Sequence, residues 1–136
     1  EYEKAEAVLL EGLTIFQNST SLKSSSPLQL AMKQDGIANF IFSLAEAKEA
    51  GNKYEEAMKL YDESLGLRYY SDKVRPKGQK LNNIHIIMCL AGIGKMHAAM
   101  GDDEKALKAF NEAITSARKD GLPVSHPIFQ MLMDQS

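Results

Sequence analysis

The sequence predicts an all-α protein built from antiparallel helix pairs. Apolar residues recur at spacings of three and four along most of the chain, and almost no segment shows the strict alternation that is typical of a strand. The chain also repeats itself, because residues 26–67 align with residues 75–116 at a constant offset of 49 without a gap. Small residues stand at matching places in both copies, which suits closely packed helices.

Each predicted helix follows from local signals. Ser26 followed by Pro27 is a typical helix start, because serine caps free N–H groups and proline suits the first helical position. The helices are predicted over residues 2–17, 26–50, 53–69, 78–100, 102–119 and 125–134. The chain is thereby divided into a trailing half-repeat (1–18), two helix pairs (27–70 and 76–120) and a terminal helix (125–136).

Length and composition indicate one globular domain. Hydrophobic residues make up 44% and charged residues 25% of the 136 residues, and the net charge of -2 argues against a generally basic nucleic-acid-binding protein. The apolar stretch 84–94 is about half as long as a membrane-spanning helix, so we interpret it as part of a core helix. The single cysteine, Cys89, predicts a buried thiol in an intracellular, cytoplasmic protein.

The chain begins at Glu1, already inside a helical pattern, so we expect it to be part of a longer protein. The apolar sides of its first and last helices then predict self-association through exposed ends. The residues concerned are Leu9, Leu13, Phe16, Ile128, Phe129, Leu132 and Met133.

Small residues mark the predicted crossing of each helix pair. Two helices approach closely only where the facing side chains are small. Ala45 and Ala57 take this place in the first pair, and Gly94 and Ala106 take it in the second. Bulky residues should fill the space above and below each crossing, and the candidates are Leu44, Tyr61, Ile93 and Phe110.

Three stretches carry the same order of small and aromatic residues. They are LAEAKEAGNKYEEAMKLYDESL (44–65), IGKMHAAMGDDEKALKAFNEAI (93–114) and, in half, YEKAEAVLLEGL (2–13). This pattern resembles the tetratricopeptide repeat (TPR) family. The resemblance implies a right-handed solenoid of stacked helix pairs that binds protein partners. The repeats recur here after 52 and 49 residues, longer than the family's usual unit of about 34.

The resemblance also implies a partner-binding surface. In this family the first helix of each pair lines a concave groove, which here implies contacts from Asn39, Phe42, Glu46, Glu49, Met88, Ala91, Lys95 and Ala98. Chaperone-binding members hold a terminal carboxylate with a lysine and an asparagine, whereas this chain has Phe42 and Glu46, then Ala91 and Lys95, at those places. We therefore expect a peptide or protein partner bound by mixed contacts, with Phe42 facing the groove rather than the core.

No residue pattern predicts catalysis, a cofactor or a metal ion. The three histidines, His85, His97 and His126, are too scattered to suggest a shared metal site. The glycines of GIGKMHAAMG do not follow the order of a phosphate-binding loop. We therefore predict a protein that is not an enzyme.

One basic cluster supports a second hypothesis. Residues 67–81 contain Arg68, Lys73, Arg75, Lys77 and Lys80 against one acid, beside two tyrosines. Such a cluster could bind RNA or a phosphorylated partner, which would make the chain an RNA-binding or regulatory repeat segment. A solvated loop between the repeats is the alternative that we favour, and nucleic acid is not the partner we expect.

Overall fold

The computed structural model describes residues 2–19, 26–76, 82–119 and residue 121. Its helices are α1 (Tyr2–Ser19), α2 (Pro27–Ala50), α3 (Tyr54–Val74), α4 (Asn83–Ala99) and α5 (Asp103–Lys119). No β-strand occurs within these ranges, so the predicted all-α class is confirmed there. The predicted helix at 125–134 lies outside the described residues. None of the helices α1 to α5 has both the length and the apolar character required to cross a membrane.

The start of α2 is fixed by a capping box. The Oγ atom of Ser26 accepts a hydrogen bond from the backbone N–H of Gln29 at 3.1 Å. The side chain of Gln29 accepts one from the backbone N–H of Ser26, also at 3.1 Å. These bonds satisfy N–H groups that a helix start leaves without partners, so the predicted start at Ser26 and Pro27 is confirmed.

The two helix pairs turn in the same way. Asn52, between α2 and α3, has a φ of 61°, and Gly101, between α4 and α5, has a φ of 83°. Both values lie in the left-handed region, which glycine and asparagine adopt more readily than other residues. In both turns, the next residue donates its N–H to a carbonyl of the preceding helix, from Lys53 to Lys48 and from Asp102 to His97.

Each helix packs mainly against its neighbours in chain order: α1 against α2, α2 against α3, α3 against α4 and α4 against α5. At the α2–α3 crossing, Ala45 and Ala57 are fully buried beside Tyr61. The close approach predicted from these small residues is therefore present.

Glycine has the same role at the α4–α5 crossing. A Cβ atom at Gly94 would lie 2.7 Å from the ring of Phe110, closer than two carbon atoms can approach. Gly92 leaves similar room for Tyr61 of α3, where an added Cβ would lie 2.8 Å from the ring. The two glycines therefore let α4 pack against an aromatic ring on each side.

The α3 helix is longer than predicted, and α4 begins later. The α3 helix continues to Val74 rather than ending near residue 69, and α4 begins at Asn83 rather than near residue 78. Most of the predicted loop at 67–81 is therefore helical where the structure describes it, so the loop interpretation is wrong for residues 67–74. The reason is tertiary: Arg68 and Ser71 make buried hydrogen bonds that hold the last turns of α3 against its neighbours.

Candidate functional site

A cleft of about 240 Å³ lies between α2 and α4, with α3 beneath it. Both walls come from helices that pack against α3. The cleft is lined by Asn39, Phe42, Ser43, Arg68, His85, Met88 and Cys89. We call this cleft, together with Glu46, Glu49 and Lys95 beyond it, the α2–α4 groove. The structure thus brings three predicted partner-binding residues, Asn39, Phe42 and Met88, into one concave site.

Phe42 and Met88 face each other from opposite walls but differ in burial. Met88 is 36% exposed, so its thioether side chain can be reached from solvent. Phe42 is half-buried, and its ring lies edge-on to the ring of Tyr61 with 5.2 Å between centroids. Phe42 also packs against the core on both sides of α3. The expectation that Phe42 faces only the groove is therefore wrong, because the same side of α2 also contacts α3.

An ion pair bridges the two walls at the other end of the groove. The Nζ atom of Lys95 lies 3.3 Å from Oε2 of Glu49. The other carboxylate oxygen of Glu49 accepts a hydrogen bond of 2.7 Å from the Tyr61 hydroxyl. Burial raises the pKa of that hydroxyl, and the neighbouring Glu49 carboxylate raises it further, so Tyr61 stays a neutral donor.

Glu46 lies beside this ion pair without joining it. Its side chain is exposed and forms no ion pair or hydrogen bond within the described residues. The pKa of its carboxyl is raised, first because partial burial removes water and then because Glu49 is near, while Lys95 opposes both effects. This end of the groove therefore carries two acids, Glu46 and Glu49, against one lysine, Lys95.

The two predicted alanines of α4 have different environments. Ala98 is exposed, whereas Ala91 is buried in a core cluster with Leu65 and Phe110. The prediction that Ala91 contacts a partner is therefore wrong. The cause is that α4 is apolar around most of its circumference, so periodicity alone does not identify the face that packs inward.

Arg68 forms the charged floor of the cleft and is only 4% exposed. Its Nη1 atom donates to Oδ1 of Asn82 at 3.0 Å and lies 3.6 Å from Oδ1 of Asp35. Its Nη2 atom donates to Oδ1 of Asn39. Burial lowers the pKa of the guanidinium, and Asp35 opposes that effect. Arg68 is thus a structural cation that holds α2 and the start of α4 against α3.

Arg75 and Asn82 extend this network away from the groove. Arg75 forms a largely buried ion pair with Asp35. The amide of Asn82 donates to Asp35 at 3.0 Å and to Asp72 at 2.9 Å. Asn82 is 2% exposed at the start of α4, a buried polar side chain that no local sequence pattern predicted.

The network corrects the hypothesis of a basic surface patch. Arg68 and Arg75 are turned inward and paired with Asp35, so neither presents its charge to solvent. Lys73 is exposed on α3, whereas Lys77 and Lys80 lie outside the described residues. A phosphate-binding surface needs several accessible cations, and two of the five proposed here lie in the interior.

His85 and Cys89 line the cleft but were not predicted as site residues. Burial lowers the pKa of His85, and the nearby positive charge of Arg68 lowers it further, which favours the neutral imidazole. Cys89 is buried as expected, and its Sγ atom donates to Oγ of Ser64 at 3.7 Å. The missed signal is spacing, because His85 and Cys89 flank Met88 on the same part of α4. Among the residues that the structure describes, no cluster of three or more potential metal ligands occurs.

A second, more open depression of about 640 Å³ follows one face of α5. Leu107 of α5, which is 53% exposed, lines it together with Tyr69 of α3 and Leu90 of α4. This depression is separate from the α2–α4 groove, and the two share no residue.

The sequence matches no protein-family model, and no curated protein or solved structure is significantly similar to it.

Proposed function

We propose that the chain is a non-catalytic protein-interaction module that binds a peptide or protein segment in the α2–α4 groove. The observation that carries this proposal is the cleft of about 240 Å³, where apolar Phe42 and Met88 meet between two helix walls. Groove-shaped sites with apolar anchors and charged borders are a recurring mode of peptide recognition.

The repeated helix pairs support the proposal by analogy. The repeated helix pairs and the small residues at both crossings resemble the TPR pattern, while the repeat offset of 49 is longer than that family's usual unit of about 34. We propose that the pairs stack as a TPR-like solenoid whose first helices line the groove. Fold-level resemblance alone does not establish function, so the proposal depends on the groove itself.

Site-specific crosslinking tests where a partner binds. A photoreactive amino acid replaces Met88 in the protein, and a matched variant carries it at Leu107 in the second depression. We expect light-dependent adducts from position 88 in cells that express the protein, because Met88 borders the cleft and is accessible. Adducts from position 107 with none from position 88 would argue against the groove.

Phe42→Ala also tests the groove, and we expect it to change both stability and partner binding. Because the ring of Phe42 packs against Tyr61, the substitution should lower the melting temperature as well as partner binding. Binding should therefore be measured well below the melting transition. Met88→Ala removes a more exposed side chain, so it should weaken binding by about 1 kcal/mol or more with a smaller change in stability.

A further inference from the structure

The chemistry of the α2–α4 groove indicates what kind of partner segment fits it, and this step rests on the proposed function. At the floor of the cleft, both Nη atoms of Arg68 are already bonded, to Asn39 and Asn82, and Nη1 also faces Asp35. The Nε atom of Arg68 has no partner within the described residues, but it is buried. The surfaces left for a ligand are mainly the ring of Phe42 and the thioether of Met88, with the side chains of Ser43 and His85 beside them. An apolar group loses little by entering such a cleft, whereas a charged group would lose its hydration.

The size of the cleft limits its occupant to one large side chain. A cavity of about 150 Å³ in an apolar core holds one benzene molecule. A cleft of about 240 Å³ therefore has room for a leucine, methionine or phenylalanine side chain, but not for a whole helix turn. Such a side chain would lie between Phe42 and Met88 and contact both of them.

Charge near the cleft selects the neighbouring residue of the partner. Glu46 lies four residues after Phe42 on α2, which places it about 6 Å farther along the helix axis. Glu49 is already paired with Lys95, whereas Glu46 has no ion pair within the described residues. Glu46 and Glu49 together place two negative charges here against the one positive charge of Lys95, so a cation would be attracted and an anion repelled.

We infer that the partner is a peptide segment that inserts one large apolar side chain between Phe42 and Met88 and places a lysine or arginine against Glu46. The partner is thus apolar and basic, and an acidic segment is disfavoured.

Selection from a random peptide library tests this inference. The probe is a phage library of random twelve-residue peptides, selected against the whole chain, and recovered sequences are synthesised with a fluorescent label. We expect recovered peptides to share a bulky apolar residue with a lysine or arginine a few positions away. Fluorescence anisotropy then gives their affinities for the wild type and for variants of the groove.

Two variants and two matched controls separate the contributions. Met88→Glu should weaken binding by at least about tenfold, because it places a charge in an apolar cleft. Glu46→Lys should weaken it by about threefold to fivefold, and more at low salt, because it reverses one accessible charge. Leu107→Glu and Glu63→Lys make the same changes at exposed sites outside the groove and should leave the affinity unchanged. Met88→Gln repeats the test if Met88→Glu lowers the melting temperature.

The possible failures are distinguishable. This inference is overturned if the peptides depend on Met88 but lack a basic residue, or if Glu46→Lys leaves their affinity unchanged. The groove would then still be a binding site. If no recovered peptide depends on either Met88 or Glu46, both this inference and the proposed function are wrong.

Discussion

The two helix pairs share one plan but use different chemistry on their second helices. Tyr61 of α3 and Phe110 of α5 occupy equivalent places, and both are 2% exposed. Farther along, α3 has buried Ser64 and Arg68, and α5 has buried alanines at the corresponding positions 113 and 117. The same repeat is therefore polar inside one pair and apolar inside the other.

The difference follows from the number of neighbours that each helix has. The α3 helix packs against both α2 and α4, whereas α5 packs mainly against α4 within the described residues. Ser64 donates to the Ala38 carbonyl of α2 at 2.9 Å and accepts from Cys89 of α4 at 3.7 Å. Polar side chains with partners on two helices can specify one arrangement, which alanine cannot do. We therefore interpret the polar network of Ser64, Arg68 and Arg75 on and beside α3 as the joint between the pairs, meaning the set of contacts that fixes how the two pairs pack together.

Removing the acid at the centre of this joint should have the largest effect. Asp35→Ala leaves Arg68 and Arg75 without their carboxylate, and we expect it to lower the free energy of unfolding by about 3 kcal/mol. Urea denaturation measures the loss. Asp62→Ala, which removes an exposed acid from α3, should change stability by no more than about 0.5 kcal/mol. Equal effects of the two substitutions would show that the joint contributes nothing specific.

Larger side chains at the helix crossings should also destabilise the two helix pairs to different extents. Ala57→Leu and Ala106→Leu should each cost about 1–3 kcal/mol, because both alanines are buried where helices meet. We expect the larger loss at Ala57, which packs among residues of both α2 and α4. Circular dichroism melts measure both losses, with Ala99→Leu as an exposed control. If both buried substitutions are silent, the argument from small residues at the crossings fails.

Two glycine substitutions should change stability in opposite directions. Gly92→Ala forces a methyl group against the Tyr61 ring and should cost at least about 1 kcal/mol. Gly66 lies in α3 with nothing within 4 Å of an added Cβ, so Gly66→Ala should stabilise the helix by about 0.5–1 kcal/mol. Chemical denaturation of both variants tests the signs. A stabilising Gly92→Ala would mean that α3 and α4 are not in close contact there.

The smallest expected effect is the pH dependence that His85 contributes. Its pKa is lowered in the folded chain, so the unfolded chain binds more protons and folding becomes less favourable as the pH falls below about 6.5. His85→Asn removes this contribution. When the stabilities of the wild type and the variant are compared, the pH-dependent contributions of all other groups cancel. We expect the stability of the wild type relative to this variant to decrease between pH 7.5 and pH 5.5. A difference that is constant with pH would contradict the proposed environment of His85.

Local signals predicted much of the fold and part of the groove. The helix start at Ser26 and Pro27 and the small residues at the crossings each depend on a few neighbouring residues, and sequence shows such features directly. Asn39 and Met88, which the resemblance to TPR proteins implied as groove residues, both line the cleft. Sequence was thus sufficient to predict the order of the described helices and the small residues at their crossings.

Which helix faces point inward and where α3 ends depend instead on contacts between distant parts of the chain. Partners of the buried network lie far apart in the chain, such as Asn82 and Asp35, which are 47 residues apart. A cation such as Arg68 is usually exposed, and only its fixed partners on α2 and at the start of α4 make its burial possible. The burial of Ala91 likewise depends on how α3 packs between α2 and α4. The same packing explains why Phe42 both lines the cleft and contacts the core. Periodicity records which residues share a helix face, but not which neighbouring helix that face will meet.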